Sequence, residues 1–298
     1  VDFTLTETQR ELAALTRKIV ESSDAPWADL VKTGVVPEDP DEFGVLEHCA
    51  VLVELGRAVA AVPYLPTTLA RTALAMAGRH VEPGAVLSVA LAEDSTGAKT
   101  TVPFAASAEA FLVADDDRVF LVRAADLDIT PQVLVDGTDA GTFRFESGEL
   151  LEGVTPDWLT TRYTLGLCAF QLGVTERALE LTAAYARTRV QFGRPIGAFQ
   201  AVAQRLADAY IDVAAIRLTL WQAAWRLSEG LPADAEVATA KFWAADAGHR
   251  VAHTAVHVHG GTGIDMSHDV HRYFTAAKRA EFELGGATAQ LLKLSAAL

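Results

Sequence analysis

The chain has 298 residues, half of them apolar and only 21% charged, which excludes a disordered protein and leaves room for a sizeable core in one large domain or two smaller ones. A formal net charge of −14 makes nucleic acid and anionic membranes poor partners, so an anionic ligand needs a local cationic site. Two cysteines, Cys49 and Cys168, form no disulfide framework and fit a reducing, cytoplasmic setting.

Neither a signal-peptide pattern at the start nor an apolar run of membrane-spanning length is present in the sequence. Residues 1–80 read as helical. Thr6 and Gln9 form a capping box that opens a helix through about Ser22, with Leu12, Leu15, Ile19 and Val20 as its apolar stripe. A short helix follows over Trp27 to Gly34. Asp41 is the expected cap of a third helix carrying Phe43, Leu46, Val51, Leu55 and Val59, ended by Pro63, and Thr67 to Gly78 makes a fourth.

From 81 to 154 the period changes. Val86–Leu91, Ala110–Ala114, Arg118–Val122 and Gly141–Phe145 are short β-type runs, and Asp115-Asp116-Asp117 reads as a hairpin tip. Residues 155–298 return to helix in four segments: Trp158–Val190, Gly197–Glu229, Ala233–His259 and His268–Leu298. The fold class is therefore mainly α with a small β domain: an N-terminal helical domain, a reduced middle β domain and a C-terminal four-helix bundle.

Two stretches carry chemistry. Arg189 to Gln200 places Arg189 and Arg194 at a sharp corner between helices, beside Phe192 and Phe199. Planar donors next to aromatic faces suit a phosphate-bearing ligand with a stackable ring. In His257-Val258-His259-Gly260-Gly261-Thr262-Gly263, the glycines permit positive φ and close approach of backbone N–H groups to an anion. His249, His253 and His257 recur every four residues, but Arg250 stands where a zinc protease has Glu, so they read as a polar helix face with no metal. No nucleophile elbow and no Gly-x-Gly-x-x-Gly after a strand occur.

In these motifs and in the order of its domains the chain resembles the acyl-CoA dehydrogenases, flavin enzymes that convert acyl-CoA thioesters to 2,3-enoyl-CoA. Phe3 to Gln9 and Val53-Glu54-Leu55-Gly56-Arg57-Ala58 resemble further family segments. The resemblance implies that Arg189, Gln191, Phe192, Phe199 and Gln200 reach a neighbouring subunit's FAD at its diphosphate and adenosine end. It implies the same role for His257, Val258, His259, Gly260 and Gly261, with His257 where Gln is usual.

The departures are equally specific. The family's general-base Glu falls at Leu284, beside Glu283, and the alternative base position falls at Tyr163, so no catalytic residue is assigned. The loops that cover the flavin ring have no counterpart in residues 88–145. The resemblance is thus to the shortened, non-catalytic subunit of an α2β2 enzyme, such as those of steroid side-chain degradation. A longer partner would supply the Glu and most of the acyl-CoA pocket, FAD would lie at the interface, and electron-transfer flavoprotein would accept electrons. Two alternatives stay open: a homomeric flavoenzyme using Glu283 or Glu281 as an unusual base, and a flavin-free structural subunit.

Overall fold

Local sequence sets most element boundaries in the computed structural model, which describes residues 4–297. Phe3 and Leu298 lie outside the described residues. Helix α1 (Glu7–Ser22) opens on the expected capping box: the Gln9 N–H donates to Thr6 Oγ1, and the Thr6 N–H donates to Gln9 Oε1. Helix α2 spans Pro26–Lys32. Helix α3 (Val45–Ala58) is capped at Gly44, whose N–H donates to the Glu47 carboxylate at 3.1 Å, rather than at Asp41. Pro63, expected to end that helix, instead precedes α4 (Tyr64–Met76), and Pro66 sits in its first turn, where a missing N–H costs nothing.

The β region has more strands than the hydrophobic pattern reveals. Strands β1 (Leu87–Ala90), β3 (Ala110–Asp115) and β4 (Arg118–Arg123) match the apolar runs, and the Asp115↔Arg118 register makes Asp116 and Asp117 the hairpin tip. With β7 (Glu149–Leu150) they form a sheet in the order β1-β3-β4-β7, its β1–β3 pair parallel. A second, antiparallel sheet joins β2 (Ala98–Pro103), β6 (Asp139–Arg144) and β5 (Thr130–Val133). Phe111, Val113, Val102 and Phe143 pack together between them.

The C-terminal bundle is built from α5 (Pro156–Thr188), α6 (Gln200–Ser228), α7 (Asp234–His259), α8 (Val270–Phe282) and α9 (Ala287–Ala297). The segment expected as one last helix is thus two, broken where Leu284 (φ +57°) and Gly285 (φ +95°) turn left-handed. Between α3 and α5 the backbones touch: a Cβ on Gly173 would lie 1.9 Å from the Val53 carbonyl oxygen, and one on Gly56 would lie 2.0 Å from that of Phe170. This contact fuses the N-terminal helices and the bundle into one apolar core, with Val51, Leu55, Leu172, Ile216 and Ala244 inside it. No helix among the described residues is long and apolar enough to cross a membrane.

Candidate functional site

Helix α5 ends at Thr188, and Arg189 caps it in extended conformation, its N–H donating to the Tyr185 carbonyl at 2.8 Å. A two-residue hairpin turn then joins β8 (Val190–Gln191) to β9 (Arg194–Pro195). Phe192 (φ +52°) and Gly193 (φ +75°) both sit left-handed in it, as a tight hairpin matching strand twist requires. Arg194 stacks 4.2 Å over the Phe199 ring, and Phe192 meets Phe199 edge-on. Arg189, Gln191, Phe192 and Gln200 are exposed, Phe192 at 93%, while Phe199 is half-buried.

Neither Arg189 nor Arg194 has a carboxylate in ion-pair range among the described residues, although the sequence holds 39 acidic residues. The corner therefore presents cationic donors and a bare aromatic ring outward. Helix α7 ends on the same structure: His259, buried, stacks 4.3 Å from Tyr185 and donates through Nδ1 to the Ala255 carbonyl. Burial lowers its pKa, with the Ala255 hydrogen bond opposing the shift. Beyond it, Gly260 turns at φ +62° and a 3-10 turn runs to Ile264. His257, Gly260 and Gly261 are exposed, whereas the side chains of Val258 and His259 point inward. Of Gly260, Gly261 and Gly263, read together as positive-φ candidates, only Gly260 adopts that conformation.

The second region lies where α5, α8 and the β5–β6 loop meet. Leu284 packs among the apolar side chains around Leu159, Tyr163 and Leu167. Tyr163 Oη donates to Glu283 Oε1 at 2.8 Å, and Arg279 Nη1 donates to Glu283 Oε2 at 2.9 Å. Arg279 also donates through Nε to Asp136 at 2.6 Å and lies over the Phe170 ring. Burial opposes the Arg279 charge, but Glu283 and Asp136 outweigh it and hold its pKa above the usual arginine range. Burial and the Glu283 carboxylate together push the Tyr163 pKa well up. Beside this cluster remains a cavity of about 40 Å³, bounded by Leu55, Leu65, Phe104 and Leu167. Such a space is far smaller than pockets that take small-molecule ligands, which run to roughly 300–1,000 Å³.

Residues 161–298 match the family model of the acyl-CoA dehydrogenase C-terminal domain. Acyl-CoA dehydrogenase FadE27 of Mycobacterium tuberculosis is 44% identical to this chain over 99% of it and 98% of the relative. The chain belongs to the acyl-CoA dehydrogenase family. The alignment with FadE27 spans 364 positions, so that acyl-CoA dehydrogenase carries segments absent from these 298 residues. A chain in the crystal structure of the ChsE4-ChsE5 complex from Mycobacterium tuberculosis superposes with a TM-score of 0.92 at 42% identity, covering 99% of this chain and 98% of that one. A chain of the Tcur3481-Tcur3483 steroid acyl-CoA dehydrogenase, G363A variant, gives 0.89 at 33% identity, covering 98% of each.

Within this acyl-CoA dehydrogenase fold, Tyr163 and the Glu283-Leu284 pair come together. Both oxygens of Glu283 are already engaged, by Tyr163 and by Arg279. Glu281 faces elsewhere: Lys278 donates to it at 2.6 Å, and His249 Nδ1 lies 3.1 Å away. Sequence reasoning missed Asp136 and Arg279, which are 143 residues apart and carry no shared motif.

Proposed function

We propose that this chain is the non-catalytic subunit of a heteromeric, FAD-dependent acyl-CoA dehydrogenase that desaturates an acyl-CoA thioester at the 2,3-position. The observation that carries the reading is the contrast just described: exposed, unpaired Arg189 at the corner, and no free carboxylate at the base positions. Two of the similar structures are described as a two-protein complex and as a paired steroid enzyme, which supports a heteromer and an apolar, steroid-like acyl group.

The residues present fit FAD at an interface. Arg189 offers charge-assisted hydrogen bonds to the diphosphate, each worth roughly 1.5–3 kcal/mol. Phe192 and Phe199 supply faces near the adenosine, Gln191, Gln200 and His257 supply polar contacts, and the backbone from Val258 to Gly261 approaches the anion. Bound FAD supplies the oxidant for the desaturation. The partner, a longer catalytic subunit in an α2β2 assembly, supplies the Glu that removes the α-proton and most of the acyl-CoA pocket. Electron-transfer flavoprotein takes the electrons, and the assembly is cytoplasmic.

Expression of this chain alone should give a colourless protein inactive toward acyl-CoA, and co-expression with its longer partner should give a yellow, active complex. Absorbance near the flavin bands and a turnover assay check this. A yellow, active homo-oligomer of this chain would overturn the reading.

A further inference from the structure

A groove of about 490 Å³ opens between the start of α3, the length of α4 and the first turns of α5. It lies on another face of α5 from Tyr163 and Phe170: its α5 wall is Trp158, Arg162 and Leu165. Leu52, Leu69 and Met76 make most of the remaining surface apolar. Three polar side chains along it are satisfied internally. Thr68 and Thr72 donate to the carbonyls of Tyr64 and Thr68, and His48 Nδ1 pairs with Tyr64 Oη at 2.9 Å.

Arg162 differs from these three. Its guanidinium lies 4.3 Å over the Trp158 ring, half-buried, and no carboxylate or carbonyl among the described residues accepts from it. Asp41 at the rim is exposed and makes no ion pair with it. A partly desolvated cation without an anion is an unfavourable arrangement in the free protein, and a bound anion would relieve it. The volume falls within the range that small organic ligands occupy.

We propose that this groove binds an amphipathic carboxylate, its apolar body lying along Leu52, Leu69 and Met76 and its carboxylate accepting two hydrogen bonds from Arg162. A planar guanidinium held flat against an indole presents its N–H edge for such bidentate contact. The same chemistry favours a free acid over its neutral ester or alcohol, because only the acid supplies the missing charge.

Calorimetric titration of the purified heteromeric complex with dodecanoate tests this, with dodecanol as the uncharged control. The expected result is saturable binding, one dodecanoate per copy of this subunit, with dodecanol at least about tenfold weaker. Arg162→Gln should weaken dodecanoate by a similar factor while flavin content and turnover stay unchanged, and Arg162→Lys should fall between. A fatty acid held in the partner's acyl pocket would be blind to Arg162→Gln, so equal affinity in that variant overturns the proposal. So does an absence of saturable binding, or equal binding of dodecanol.

Discussion

Arg189 and Arg279 place the same guanidinium in opposite settings. Arg189 stands on an exposed hairpin corner with no carboxylate in range, so its charge is available to something outside the chain. Arg279 is largely buried and held by Glu283 and Asp136, so its charge is neutralised within the chain. The difference teaches where this subunit has kept its ligand chemistry. Donors at the corner face outward, while inside the chain Arg279, Glu283 and Asp136 form a closed charge cluster beside a small void.

The contrast can be broken most forcefully at Arg279. Arg279→Ala leaves Glu283 and Asp136 buried without their cation, and removing one partner of such a cluster costs about 3–5 kcal/mol. Chemical denaturation of the variant should show that loss, and a change under about 1 kcal/mol would mean the cluster is not structural.

Glu283→Gln is milder. Tyr163 can still donate to the amide oxygen, but Arg279 loses one of its two anions, for an expected cost of about 1–3 kcal/mol. Turnover of the complex should be unchanged. Abolished turnover with normal folding would reinstate Glu283 as a base.

A histidine of α3 predicts a separate, acid-sensitive limb. Burial lowers the His48 pKa to about 4, with Glu47 opposing the shift. Below about 6.5 the unfolded chain takes up a proton that the folded chain refuses, so this contribution is complete above that pH and shrinks as pH falls toward 4. Thermal melts at pH 7.5 and pH 5 should therefore show a smaller drop in His48→Gln than in the parent chain. An identical drop would mean that His48 does not titrate as its burial requires.

Features fixed by neighbouring residues were legible in the sequence. The Thr6–Gln9 cap, the Asp116 hairpin tip and the Arg189-to-Gln200 corner all arise from contacts within a few residues. Strands β2 and β5 were not, because Lys99, Thr100, Thr101 and Gln132 break the apolar alternation, and their pairing depends on β6 between them. The break between α8 and α9 had a signal in Gly285-Gly286, outweighed by the apolar period on either side. At the site, Tyr163, Glu283 and Leu284 were singled out by resemblance, but nothing local announces that Asp136 would reach Arg279. Such closure is a property of three packed segments rather than of any one of them.

The most direct test of the account is the affinity of the heteromeric complex for FAD when this chain carries Arg189→Ala. The subunit should fold and assemble as before, while flavin binding weakens by about tenfold or more, the loss of one charge-assisted hydrogen bond. Full flavin content and unchanged affinity, persisting when His257→Ala is added, would contradict it and make this chain a structural subunit alone.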